Sequence, residues 1–406
     1  MKSDSEEKAL RNLKRRINLC SRGITLPDIP APGLNLPSAR GGAGPRQAAC
    51  HMGDAPGDHS SQISLVVYPE GHYLARYALP AKWLERKQDG QKQTEKIICT
   101  ADDMFLEKIS PGWQGTYPDG RKATLLSQAG FHPYGTISMC LYGSKRHMEQ
   151  YAGCRHCTAN LSIHKLNAPQ RLADKANLEY LTLAVANNPV RSVTLMGGLS
   201  ESPEETGREL LRLAQLIRRK TSLSVHVQTE PIFNRPLLKE LGEVADTIGI
   251  SLEFFDDKVR REICPDLSGA FSQEDYMRSW EMAVSCFGWG KVLNTNIIGF
   301  DEDYETILQG IERAAGIGVM TSILWLRTQN SKLKDYIPSY IGKEDRALQL
   351  HMDVGKILVD NTVDTISPQN AGCPGCHGCN ATREAVLWAR TASRKQHYAY
   401  EYMEQY

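Results

Sequence analysis

From Gly135 onward the chain repeats one pattern: a short apolar run, a polar or Gly-containing turn, then an amphipathic stretch. The runs are TISMCLY (136–142), SVTLMGG (192–198), LSVHVQTEP (223–231), TIGISLEFF (247–255), KVLNTNIIGF (291–300) and VMTSILWLR (319–327). Between two of them, PEETGRELLRLAQLIRRK reads as a helix, with Ser202 as N-cap, Pro203 at the first helical position and Glu205 three residues after the cap. Apolar runs rich in β-branched residues that alternate with helices imply βαβ units and a parallel sheet. Six such units predict an α/β fold, a partial (β/α)6 TIM-like barrel over 133–340. A doubly wound sheet has the same periodicity and stays open as a rival.

Outside that region the pattern is less regular. Residues 1–132 read as an N-terminal extension: a charged helix of about fifteen residues, then LPDIPAPGLNLPSARGGAGP, too rich in Pro and Gly to bury much. Next, ISLVVYPEGHYLARYALP predicts a β-hairpin across Pro69–His72, and YPDGRK marks a further turn. Residues 341–406 form a C-terminal segment with a helix and a group of cysteines.

Composition narrows the class. With 48 basic and 47 acidic side chains the net charge is +1, which gives no electrostatic footprint for nucleic acid. No run approaches the length of a membrane span, and the charged N-terminus lacks the apolar core of a signal peptide. The expected setting is therefore cytoplasmic and soluble. Eleven cysteines in a reducing compartment point to metal binding or redox work rather than to disulfides.

Six of those cysteines fall in two groups. Cys140 lies near the end of the first predicted strand, with Cys154 and Cys157 in the loop after it. In α/β barrels the working face is built from the loops at the C-terminal ends of the strands. Three thiolates there can hold a four-iron cluster and leave one iron without a protein ligand. A Cys-x2-Cys pair is equally half of a zinc site, so spacing alone leaves both open. The second group, AGCPGCHGCNATREA, places Cys373, Cys376 and Cys379 at gaps of two and two, the first part of a ferredoxin-type run. Its fourth ligand could be exogenous, His377, or one of Cys20, Cys50, Cys99, Cys264 and Cys286. A structural zinc is the rival for this group.

The motifs over 134–330 resemble the radical S-adenosylmethionine (radical SAM) superfamily. The final cysteine gap of two is kept, while the first gap is expanded to thirteen residues, and His156 stands where relatives carry an aromatic residue. Gly197 and Gly198 resemble the turn that receives the methionine ammonium of the cofactor, with Glu201 displaced by two positions. Ser251 and Glu253 match the strand that faces ribose and methionine. Ile297, Gly299 and Glu302 match the segment lying along adenine, with Thr295 replacing its first glycine.

The resemblance implies a radical SAM barrel in which Cys140, Cys154 and Cys157 ligate a [4Fe-4S] cluster. The open iron would chelate S-adenosyl-L-methionine, and one electron would release a 5′-deoxyadenosyl radical that takes hydrogen from substrate. An electron donor such as ferredoxin or flavodoxin is implied as partner. The second cysteine group resembles the auxiliary-cluster arrangement, here a second iron–sulfur cluster for substrate binding or redox. A sulfur-inserting enzyme that consumes that cluster is the alternative within the class. From another class, a zinc-binding structural or interaction protein would join Cys154, Cys157, Cys373 and Cys376 in one tetrahedral site. No cobalamin-binding signature is present. Candidate mouth residues are His226, Gln228, Glu230 and Arg327 with Glu253, which suit a polar small-molecule substrate or a peptide.

Overall fold

The computed structural model describes residues 4–22, 24–25, 47–51, 62–68, 77–78, 87–89, 92–94, 105–109, 112–116, 122–126, 129–132, 136–141, 155–156, 191–197, 202–328, 333, 335–363, 371–376 and 379–403. All six apolar runs form strands. They are β1 (Thr136–Leu141), β2 (Ser192–Gly197), β3 (Ser224–Thr229), β4 (Thr247–Ile250), β5 (Val292–Ile298) and β6 (Val319–Trp325). They pair in parallel in the order β1-β2-β3-β4-β5-β6, and Ala129–His132 adds an antiparallel strand beside β1. Neighbours in space are neighbours in sequence, as expected when each strand is followed by a crossover that packs back on the sheet.

Helices fill the crossovers. α2 (Pro203–Lys220) joins β2 to β3, and α3 (Arg235–Val244) joins β3 to β4. After β4 come α4 (Asp257–Ile263), α5 (Pro265–Ala270) and α6 (Gln273–Phe287), and α7 (Tyr304–Gly316) joins β5 to β6. Ser202 caps α2 as the sequence indicates, its hydroxyl accepting from the Glu205 amide at 3.2 Å. α6 starts with a full capping box between Ser272 and Asp275. The buried face of α2, Leu210, Leu213, Ala214 and Ile217, packs into one core with Val193, Val225 and Val227 of the sheet. Each large aliphatic side chain buried there stabilises the fold by roughly 1.5–3 kcal/mol.

The chain's ends are not appendages. Helix α1 (Asp4–Arg22) buries Leu13, Arg16, Ile17 and Cys20, one face at helical spacing. It packs against α8 (Glu344–Asp360) and α10 (Thr382–Met403), which follows the short helix α9 (Cys373–Cys376). Thr382, at the start of α10, accepts the Ile323 amide of the edge strand β6 at 3.2 Å, covering a donor that an exposed edge would leave open.

One local expectation fails. Gln62–Tyr68 pairs antiparallel with the preceding Gln47–His51, and Tyr77–Ala78 pairs in parallel with Ile24–Thr25, so the described strands form no hairpin across Pro69–His72. Alternation marks a strand but not its partner. Gly112–Thr116 and Lys122–Leu126, on either side of the YPDGRK turn signal, pair antiparallel, and residues 117–121 lie outside the described residues. The Pro/Gly-rich run of residues 26–45 lies outside the described residues.

Candidate functional site

The site grows from the irregular end of β4. Regular pairing with β5 stops early because two β5 side chains take its place: Asn294 Oδ1 accepts the Leu252 amide at 2.9 Å and Asn296 Oδ1 the Phe255 amide at 3.1 Å. Between them Glu253 makes one further parallel bridge, its amide to Thr295 and its carbonyl to Ile297. Its φ of 70° lies in the left-handed region. That conformation costs a non-glycine residue about 1–2 kcal/mol. Strain of this kind collects at functional sites.

Held there, Glu253 meets two other groups. His156 Nε2 lies 3.2 Å from Glu253 Oε2, and the Cys264 thiol donates to the same oxygen at 3.4 Å. Cys264 Sγ is also 3.6 Å from His156 Nδ1. Burial opposes ionisation of Glu253, but His156, Cys264 and Arg260 together outweigh it and hold the carboxyl below its usual range. A histidine, a thiol and a carboxylate with ligand atoms this close could hold a metal ion.

The same contacts fix the loop that carries the first cysteines. The Arg155 amide donates to the Ile263 carbonyl at 2.9 Å, and His156 packs edge-on to Phe254, centroids 5.6 Å apart. Phe254 meets Phe300, and Phe300 meets Tyr336, giving an aromatic wall beside the cluster. Cys140 is the fifth residue of β1, opposite Met196 of β2, and Gly197 ends β2. β1 and β4 are separated by β2 and β3, and residues 142–154 between Leu141 and Arg155 lie outside the described residues. Cys154, Cys157, Gly198 and Glu201 lie outside the described residues.

The β5 motif has a structural logic of its own. Glu302, buried, accepts the Gly299 amide at 2.7 Å and the Phe300 amide at 2.5 Å, closing the turn after the strand. Burial pushes its carboxyl above the usual range against those donors. Gly299 has φ 136°, and a Cβ there would lie 2.9 Å from Leu326 Cβ, so protein rather than open space faces it. Ile297 donates its amide to Glu253, and Ser251 is half-buried just beyond β4.

Two residues expected at the mouth are buried. His226 is mid-strand in β3 and fully buried; its Nδ1 is 2.8 Å from Thr247 Oγ1, which donates to the Ala371 carbonyl at 3.1 Å. Gly372, with φ 64°, lies so close that a Cβ would come 2.2 Å from the imidazole. Burial lowers the His226 pKa to about 3. Arg327, only 8% exposed, follows the C-terminal end of β6 and is a charged neighbour of Cys20 and Cys379. Gln228 and Glu230 are half-buried at the end of β3 and just after it.

The second cysteine group follows Gly372 directly. Gly372 starts the short helix α9, its carbonyl accepting the Cys376 amide at 2.8 Å. Cys376 is buried and Cys379 half-buried. Burial pushes the Cys20 thiol up to about 12, opposed by Arg16 and Arg327 and supported by the charge of Cys379. The sequence offers Cys264 only as one candidate fourth ligand of the C-terminal group and gives Arg16, Asn294 and Asn296 no role. The asparagines were visible as polar breaks in an apolar strand.

No protein-family model matches this sequence, and no curated protein matches it. Among solved structures, methylornithine synthase aligns with a TM-score of 0.37 at 12% identity, over 48% of this chain and 55% of that one, so the match spans about half that protein's length. A radical SAM methyltransferase from Sphaerobacter thermophilus aligns with a TM-score of 0.40 at 13% identity, covering 66% of this chain and 74% of that one. Active domain 2 of a chitinase from Pyrococcus furiosus aligns with 0.25 at 9% identity, covering 55% and 68%. At such scores the alignments identify neither a family nor a chemistry.

Proposed function

We propose that the protein is a radical SAM enzyme acting on a polar small molecule, with the first cysteine group holding a [4Fe-4S] cluster at the barrel mouth and the C-terminal group a second metal centre. The observation that carries this reading is the anchoring of His156 by Glu253 and Cys264 at the end of β4. His156 stands between Cys154 and Cys157 in sequence, so both thiols flank a residue fixed at the mouth. Cys140 reaches the same end of the sheet on β1. The donor set suits iron–sulfur ligation, three cysteines leaving one iron for the cofactor.

When bound, the cluster supplies the electron for reductive cleavage of S-adenosylmethionine. The protein's own residues orient and shield. Glu253, held ionised, fixes the His156 ring and with it the cysteine loop. Phe254, Phe300 and Tyr336 form a wall that keeps water from that side of the mouth. Glu302 and Gly299 set the turn after β5, where the adenine segment of the resemblance falls.

The test is nucleoside formation. Anaerobically reconstituted protein with dithionite and S-adenosylmethionine is expected to release 5′-deoxyadenosine, and Cys157→Ala to release none. Equal release by the variant would remove the cluster assignment. Binding of zinc without iron, and no nucleoside, would favour a structural protein.

A further inference from the structure

The fourth ligand of the C-terminal cysteine group is legible in the packing. We infer that Cys20 of α1 completes a four-thiolate metal site with Cys373, Cys376 and Cys379, joining the first helix of the chain to its last segment. The inference deepens the reading of the C-terminal cysteines given above and rests on it.

Arg16 sets the register between the two pieces. Its Nε donates to the Asn380 carbonyl at 2.9 Å and lies 3.5 Å from Glu384 Oε2, with the side chain fully buried. Asn380 is the residue after Cys379. Cys20 is one helical turn beyond Arg16 on the same face of α1, and residues four apart on a helix are neighbours on its surface. That places Cys20, 3% exposed, on the face of α1 that meets the Asn380 carbonyl, next in sequence to Cys379. Arg16 and Arg327 are cationic neighbours of both thiols. Of the other cysteines whose side chains are described outside the C-terminal group, Cys264 is held by His156 and Glu253, and Cys286 lies on α6.

A buried guanidinium is the second observation. Arg327, only 8% exposed, has an Nη1 that is buried with no hydrogen-bond partner among the described residues. Leaving a buried polar group unsatisfied is costly. A metal centre bound by four thiolates carries net negative charge, which Arg327 would offset, while Arg16 already has Glu384 at 3.5 Å. Zinc and four-iron clusters both take four cysteines, and Cys-x2-Cys-x2-Cys supplies three. A buried cysteine is most often an inert small hydrophobe. Such a thiol needs no unpartnered guanidinium beside it.

The experiment uses the full chain with Cys154 and Cys157 replaced by Ser, so that the first site is silent. It is reconstituted anaerobically with ferrous iron and sulfide and, separately, with zinc. Cys20→Ala is expected to lose bound metal as completely as Cys376→Ala, at least tenfold, while Cys286→Ala retains it. Metal analysis after gel filtration tells a cluster from zinc. Full metal retention in Cys20→Ala overturns the inference. Retention in Cys376→Ala as well removes the metal-site reading of the whole segment, a distinguishable failure. Should Cys20→Ala not fold by circular dichroism, X-ray absorption at the zinc edge of the zinc-loaded chain with Cys20 intact decides: four sulfur neighbours support the inference, and three sulfurs with a lighter atom overturn it.

Discussion

The two cysteine regions are held in opposite ways. At the mouth, His156 and Glu253 are half-buried, and the cysteine loop is fixed by side-chain contacts to a strained residue beyond the end of β4. At the other region, Gly372, Cys376, Arg16 and Cys20 are buried, and the segment is packed directly on the His226 imidazole. The first arrangement leaves His156 and Glu253 partly open to solvent. The second suits a centre that holds the fold together or passes electrons without meeting solvent. One chain thus separates access from burial, and each site's fragility follows from its surroundings.

The largest expected effect breaks the comparison at the mouth. Cys154→Ala should abolish 5′-deoxyadenosine formation, read by chromatography, with the fold intact by circular dichroism. Cys376→Ala should leave nucleoside formation in place and stop product formation. If both variants lose nucleoside equally, the two regions are one functional unit.

Next in size is Gly372→Ala. The added Cβ would meet the His226 ring at 2.2 Å in a backbone conformation with φ 64°. Overpacking and left-handed strain together should cost about 3 kcal/mol in denaturant unfolding. An equivalent change at the exposed, positive-φ Gly342, where nothing lies within 4 Å, should cost less, separating strain from packing.

The buried histidine gives a pH signature. The His226 pKa is lowered from 6.5 to about 3, so the unfolded chain takes up a proton before the native one does. This contribution to stability is fully present above pH 6.5 and is lost progressively as pH falls toward about 3. Its slope is at most about 1.4 kcal/mol per pH unit. His351 of α8, lowered to about 4 by burial, acts in the same direction. His226→Gln should flatten the stability profile below pH 6.5 without touching the mouth. An unchanged profile would mean the imidazole is not buried as described.

The smallest effect is expected at Glu253→Gln. It removes the charge that holds His156 but keeps an acceptor, a loss on the order of 1 kcal/mol. Nucleoside formation should fall by about fivefold for such a loss. A full collapse of activity would instead make Glu253 a direct cofactor contact.

How much of this was legible in the sequence depends on whether the signal is local. All six strands were readable because each is a short apolar run between turn residues, and Ser202 was readable as a cap because its partner is three residues away. The pairing of Gln62–Tyr68 was not, since alternation carries no address for the partner strand. Within the site, Glu253 was singled out, but its contacts with Cys264 and His156 depend on the helices after β4 and on a residue 97 positions earlier (253 − 156). His226 looked like a mouth residue because it sits on a strand with Gln228 and Glu230. Burial under Gly372, 146 positions away by sequence number (372 − 226), is a tertiary fact. Cys20 stood only as one of several candidate fourth ligands for the same reason: nothing near it in sequence is a ligand.

The account's central claim is an open iron at the barrel mouth. The direct test is electron paramagnetic resonance of the reduced, reconstituted protein with and without S-adenosylmethionine, on the full chain and on a chain lacking Cys376. The predicted result is a cluster signal that changes on addition of S-adenosylmethionine in both proteins. A signal indifferent to it, or one lost with Cys376, would contradict the account.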